Sequence, residues 1–197
     1  MSSSSMNVGC AVQFTSAASG FPSAVLKRVT VRSVSRVVRP CRRFRLRSGT
    51  ETVVVRLFNT YGPGEYYSPY RSVNCRFLYC ALHGLPWTVF RGHSRTSTYL
   101  ADTVTTVANI TKNFKAGETY NVGGTDLHTI EQLSDVVLKV TGADPRLVHH
   151  QETEILTTKL KRVDTSKSVR DLGHKNSYSL EEGMRLTADW MRRVYQL

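Results

Sequence analysis

The chain has 197 residues, 40% hydrophobic and 21% charged, with a formal net charge of +12. That length and balance fit one globular α/β-sized domain with a tail and exclude a fully disordered chain. No apolar run approaches the roughly 18 to 20 residues that a membrane-crossing helix needs, so none is expected.

The positive charge sits at the start. Residues 1–50 hold nine basic residues, Lys27, Arg28, Arg32, Arg36, Arg39, Arg42, Arg43, Arg45 and Arg47, and the first acid is Glu51. Residues 51–197 carry the other 18 basic residues and all 15 acids, so the body is nearly balanced. The head opens M-S-S-S-S and turns arginine-rich, the composition of an organellar transit peptide. Three readings stand: a targeting peptide, a basic arm for nucleic acid or an anionic surface, or a segment without selected structure such as a mis-joined start. No nucleic-acid-binding signature accompanies it, so a nucleic-acid partner is not expected. The compartment is cytoplasmic, or organellar if the head is a genuine transit peptide.

The four cysteines, Cys10, Cys41, Cys75 and Cys80, form no C-x-x-C pair. They read as idle or buried thiols rather than a disulfide framework or a zinc site.

From Glu51 strands and helices alternate, which predicts an α/β domain over 51–197. Thr52 to Phe58 is β-branched and suits a central parallel strand. Asn59 to Pro69 reads as a loop, and Tyr70 or Arg71 to His83 as a helix stopped by Gly84. Trp87 to Phe90 is a short strand, as is Thr98 to Ala101, which leads into a helix through Ile110. Glu118 to Val122 is a strand ending at Gly123-Gly124. Thr129 to Gln132 is a capping box that opens a helix with Ile130, Leu133, Val137 and Val140 on one face, stopped by Gly142. Leu147 to His150 is a strand. A short helix starts at Asp164 or Thr165 and stops at Gly173. Ser179-Leu180-Glu181-Glu182 is a second capping box, and Leu180, Met184, Thr187, Met191 and Val194 line one side of the last helix.

Four segments carry a resemblance, in order. They are Arg56-Leu57-Phe58-Asn59-Thr60-Tyr61-Gly62-Pro63, then Gly84-Leu85-Pro86 through Arg95-Thr96-Ser97-Thr98-Tyr99-Leu100-Ala101-Asp102, then Tyr120-Asn121-Val122-Gly123-Gly124. The fourth runs from Asp164-Thr165-Ser166-Lys167 through Leu172-Gly173 and Ser179 to Gly183 to Thr187-Ala188-Asp189-Trp190. Together they resemble the C-terminal portion of NAD-dependent sugar-nucleotide epimerases and dehydratases, the extended short-chain dehydrogenase/reductase group. The resemblance covers Glu51 to the C-terminus. It implies a truncated Rossmann-like α/β fold, here the substrate-binding lobe with a few parallel strands and flanking helices.

The resemblance also implies site residues. Asn59 matches an Asn whose amide helps hold the substrate diphosphate, and Arg95 an Arg that pairs with it, a planar guanidinium being able to bond two oxygens at once. Arg162 is a candidate second phosphate or ribose contact. Pro86, Trp87 and Val89 lie where the family packs the nucleobase, and Phe58 lies where its backbone approaches the nicotinamide. Each also has a bland reading: a turn-capping Asn, a solvated Arg, ordinary core. Arg95 is followed by Thr-Ser-Thr rather than Asp-Phe-x, which leaves base and sugar preference open. The nucleotide, the sugar and the choice among epimerase, dehydratase and decarboxylase are not legible.

The family's chemistry uses NAD and a Tyr-x-x-x-Lys pair. No Tyr here has Lys four residues later; Tyr67 has Arg71, which cannot titrate as Lys does. No G-x-x-G-x-x-G or G-x-G-x-x-G occurs. The expectation is that no residue of this chain is catalytic, that the chain alone does not bind NAD or turn over substrate, and that a partner chain or homodimer supplies what is missing. An unpaired sheet edge would make the chain prone to association. His149-His150 with Glu152 and Glu154 reads as a solvated strand end rather than a metal site, and Asp126-x-His128 as loop chemistry rather than a dyad.

Overall fold

The computed structural model describes residues 10–16, 28–33, 51–152 and 158–197. The targeting and basic-arm readings fall mostly on head residues outside the described ones, as does Glu154. The chain divides into two compact units: Met1–Phe58 with Thr103–Val122 and Asp164–Lys175, and Asn59–Asp102 with Gly123–Val163 and Asn176–Leu197.

The first unit is built on β3 (Glu51–Leu57). Thr52, Val53, Val54 and Val55 are all buried, as expected of a strand covered on both faces. β8 (Thr119–Val122) lies parallel beside it, with Val54 opposite Thr119 and Leu57 opposite Val122. Two segments of the head join this sheet. β1 (Cys10–Ser16) pairs antiparallel with β3, and β2 (Arg28–Ser33) pairs antiparallel with β1, giving the order β2-β1-β3-β8. The register puts Val12 opposite Val55 and Phe14 opposite Val53.

Val53, Val55, Tyr120 and Val122 pack with Ile110 and Leu172 to form this unit's core. Leu172 comes from α4 (Ser166–Leu172), which ends on left-handed Gly173, and Ile110 follows α2 (Leu100–Asn109). Asp171 at the end of α4 accepts bonds from Arg170 Nε at 2.9 Å and Tyr120 Oη at 3.3 Å, and pairs with Lys115 at 3.2 Å.

The second unit packs α1 (Val73–Leu82), α3 (Ile130–Thr141) and α5 (Leu180–Tyr195) with β5 (Trp87–Phe90). Leu78, Val89, Leu133, Val137, Met184, Ala188 and Met191 form its core. The caps are those the sequence spells out. Thr129 accepts from Gln132 N while Gln132 bonds back, Ser179 accepts from Glu182 N, and Gly142 stops α3 at φ 72°. α1 starts at Val73, later than expected, because Ser72 caps it and is itself held by Glu65, whose carboxylate accepts from Ser72 N and Oγ at 3.0 and 2.8 Å.

Short strands complete this unit. β4 (Thr60–Tyr61) runs parallel to β7 (Thr98–Tyr99), and β10 (Val148–Gln151) parallel to β5. β6 (Ser94–Thr96) lies between β9 (Leu127–Thr129) and β11 (Leu160–Lys161). β6, β9 and β11 are too short for periodicity to reveal, and the strand expected to reach Ala101 gives way to α2 at Leu100.

Candidate functional site

Asn59 sits in the left-handed region at φ 47°, a conformation a short polar side chain tolerates. Its carbonyl accepts from Thr98 N at 3.1 Å, and its Nδ2 donates to the Thr96 carbonyl at 2.8 Å. Asn59 therefore clamps the turn between β6 and β7. The amide expected on a diphosphate spends one of its N–H groups on the Thr96 carbonyl.

Between the two clamped threonines, Ser97 bonds Asn74 Oδ1 at 3.3 Å and lies 3.1 Å from His128 Nε2. The His128 imidazole is held below its usual range, chiefly by burial, so it favours the neutral form. Buried Gly124 packs directly on the Ser97 main chain, leaving no room for a Cβ. Asp102, 6% exposed, accepts from Ser177 N at 3.0 Å and Tyr178 N at 3.4 Å, which fixes the approach to α5.

Arg95 in β6 lines a cavity of about 330 Å³ together with Tyr67, Arg76, Pro86, Trp87 and His93. One of its guanidinium nitrogens, Nη1, donates to the carbonyls of Ser94 at 2.8 Å and Lys159 at 3.1 Å, which orients the fork. Tyr67 is stacked on Tyr79 at 3.9 Å and 11°, and Tyr79 on His83 at 3.9 Å, so the cavity wall at Tyr67 is a rigid aromatic column. Trp87 is fixed by donating Nε1–H to Ser134 Oγ at 3.0 Å. The cavity joins cationic and aromatic groups, a lining suited to an anion attached to a flat ring.

The expected residues divide. Arg95 and Pro86 line the cavity. Val89 does not: it is fully buried in the core. Trp87, Thr88 and Phe90 of the same strand are the lining residues there. Arg162 is exposed and is not among the lining residues; it follows Lys161, the residue paired with Arg95. Phe58 belongs to the first unit and spends its N–H on the Val122 carbonyl at 2.9 Å, continuing the β3–β8 ladder. Tyr67, Arg76, Thr88, Phe90 and His93 were missed. Only the cation–aromatic mix of the segment could have pointed to them.

The NAD dependent epimerase/dehydratase family pattern matches residues 35–123. Over those residues this chain matches the NAD dependent epimerase/dehydratase family. The match opens inside the arginine-rich head, so the likeness reaches upstream of Glu51, where the motifs put its start.

Among curated relatives, a UDP-N-acetyl-alpha-D-glucosaminuronate decarboxylase of Bacillus cytotoxicus is 27% identical over 154 residues, covering 74% of this chain and 48% of the relative. A dTDP-glucose 4,6-dehydratase of Shigella flexneri is 30% identical over 154 residues, covering 72% of this chain and 41% of the relative. This chain thus spans less than half the length of either. The solved UDP-glucose 4-epimerase of Thermotoga maritima with UDP-glucose superimposes with a TM-score of 0.73 at 22% identity, over 84% of this chain and 56% of that one. The fold is that of the extended short-chain dehydrogenases/reductases, in truncated Rossmann-like form.

Gly123-Gly124, the glycine pair that follows a parallel strand, is filled by the Ser97 main chain rather than open to a pyrophosphate. No metal cluster of three or more His, Cys, Asp or Glu occurs among the described residues. His149, His150 and Glu152 are exposed, and Glu152 pairs with Arg91 at 3.0 Å, as a solvated strand end would.

Proposed function

We propose that this chain is the nucleotide-sugar-binding portion of an NAD-dependent epimerase, dehydratase or decarboxylase. The nucleoside diphosphate part of its substrate would lie in the cavity beside Arg95. The observation that carries this is the meeting of Arg76 and Arg95 with Tyr67, Trp87 and Pro86 around one cavity of about 330 Å³. The two guanidinium groups supply charge-assisted bonds to phosphate oxygens, and the aromatic wall supplies a face for a base. The relatives' names, a UDP-sugar decarboxylase and a dTDP-sugar dehydratase, support that substrate class.

The chain on its own performs no redox step in this reading. Its sequence contains no Tyr-x-x-x-Lys pair for proton transfer, and Gly123-Gly124 cannot cradle a pyrophosphate. Those groups would come from another polypeptide or from chain beyond this sequence.

Calorimetry with UDP and dTDP tests the binding half. Arg95→Ala should weaken UDP about tenfold to a hundredfold, the worth of one charge-assisted contact. No heat from either nucleotide, or an unchanged Arg95→Ala, would refute the reading. NADH formation by the purified chain would refute the inactivity.

A further inference from the structure

His93 is 1% exposed, and neither ring nitrogen has a hydrogen-bond partner. A buried imidazole with both nitrogens unpaired is uncommon, because each orphaned polar atom carries its full desolvation cost. The ring is not adrift. Its main chain is anchored by the bond from Ile130 N to the His93 carbonyl at 2.9 Å, and Phe90 meets it edge-on with centroids 6.4 Å apart. His93, Phe90 and Arg95 line the same cavity. His93 immediately precedes β6 and Arg95 lies within it.

We propose that His93 is a specificity-determining residue of this cavity and hydrogen-bonds the nucleoside part of the ligand, while Arg95 and Arg76 hold the phosphates. This rests on the reading that the cavity takes a nucleoside diphosphate. His93 lines the cavity, so its ring lies beside whatever occupies it. An imidazole nitrogen donates or accepts according to its tautomer, so the ring can meet either a carbonyl or an N–H on a base edge. A ligand that makes this bond removes the orphan. A ligand without a base leaves it, so the residue discriminates by what it would leave unpaired. The phosphates are met by the two arginines, whose guanidinium groups supply the charge-assisted donors.

The test uses the full 197-residue chain. UDP and inorganic pyrophosphate are titrated by calorimetry into wild type, His93→Phe and His93→Gln. His93→Phe should weaken UDP about tenfold and leave pyrophosphate unchanged, and His93→Gln should recover part of the loss. Nitrogen-15 spectra of the wild-type imidazole should show one ring nitrogen shifting on addition of UDP and neither on addition of pyrophosphate; this readout stands even if His93→Phe does not fold. Equal UDP affinity in His93→Phe, or an imidazole indifferent to bound UDP, overturns the role of His93 alone. Failure of wild type to bind UDP at all overturns the cavity reading beneath it.

Discussion

Gly124→Ala isolates one contact on which the proposed site depends. Gly124 is buried, and its φ lies outside the left-handed region, so the substitution brings steric conflict without backbone strain. A methyl there would meet the Ser97 carbonyl oxygen, with the Ser97 C and N at 2.9 Å. All three are main-chain atoms, and Ser97 stands between Thr96 and Thr98, both tied to Asn59. The neighbour therefore cannot rotate away, and the cost belongs at the upper end of the overpacking range, about 2 to 3 kcal/mol. For a chain of this size that lowers Tm by about 4 to 12 °C.

Gly173→Ala is the control. Nothing lies within 4 Å of its added methyl, but its φ of 64° imposes left-handed strain of about 1 to 2 kcal/mol. Both variants should melt early by scanning calorimetry. Only Gly124→Ala should also weaken UDP, because it displaces the segment that begins at Arg95. A Gly124→Ala protein melting within a degree of wild type would refute the close packing, and one that melts early yet binds UDP normally would refute the link from Ser97 to Arg95.

Two further outcomes follow from charge and burial. The bond from Arg170 holds the Asp171 carboxyl down at about 2, with Lys115 adding to it. A carboxylate depressed in the folded state contributes stability above its ordinary pKa near 4, and that contribution is lost as pH falls from about 4 through 2. Tm measured from pH 7 to pH 2 should fall across that window, and Asp171→Asn should flatten the fall; parallel curves would refute it. Burial, with Glu65 nearby, pushes the Cys75 thiol up to about 12, and its Sγ donates to the Glu65 carbonyl at 3.3 Å. At pH 8 Cys75 should resist a thiol reagent until urea is added, as mass mapping would read; prompt labelling of the folded chain would refute its burial.

How much could be read from the sequence varied with the range of the interaction. β3, β5, β8, α3 and α5 were legible because each carries its own signal: a β-branched run, a capping box, a stop glycine or an apolar stripe. Those are local encodings. β6, β9 and β11 were not, because strands of two or three residues have no period and exist only through their partners, Ser94 with Thr129 and with Leu160. The candidate site followed the same rule. Arg95 and Pro86 were found by motif and line the cavity, whereas His93 and Arg76 sit at positions no motif marks and meet only in the folded second unit. Val89 is fully buried and does not line the cavity, which a four-residue strand does not show until its neighbours are placed.

The recognisable segments are recognisable partly for architectural reasons. Asn59 ties Thr96 and Thr98, Asp102 ties Ser177 and Tyr178, and Gly124 admits Ser97. Each joins stretches far apart in sequence through a side chain, or the lack of one, that few residue types can replace. The same motifs that carry the family likeness thus also tie the second unit together. A chain can retain them while containing no Tyr-x-x-x-Lys pair. Motif likeness here is evidence for a shaped cavity first and for chemistry only through whatever supplies the proton-transfer pair and the seat for NAD. Catalysis would then appear on mixing with a chain that provides both, and binding would be measurable without it.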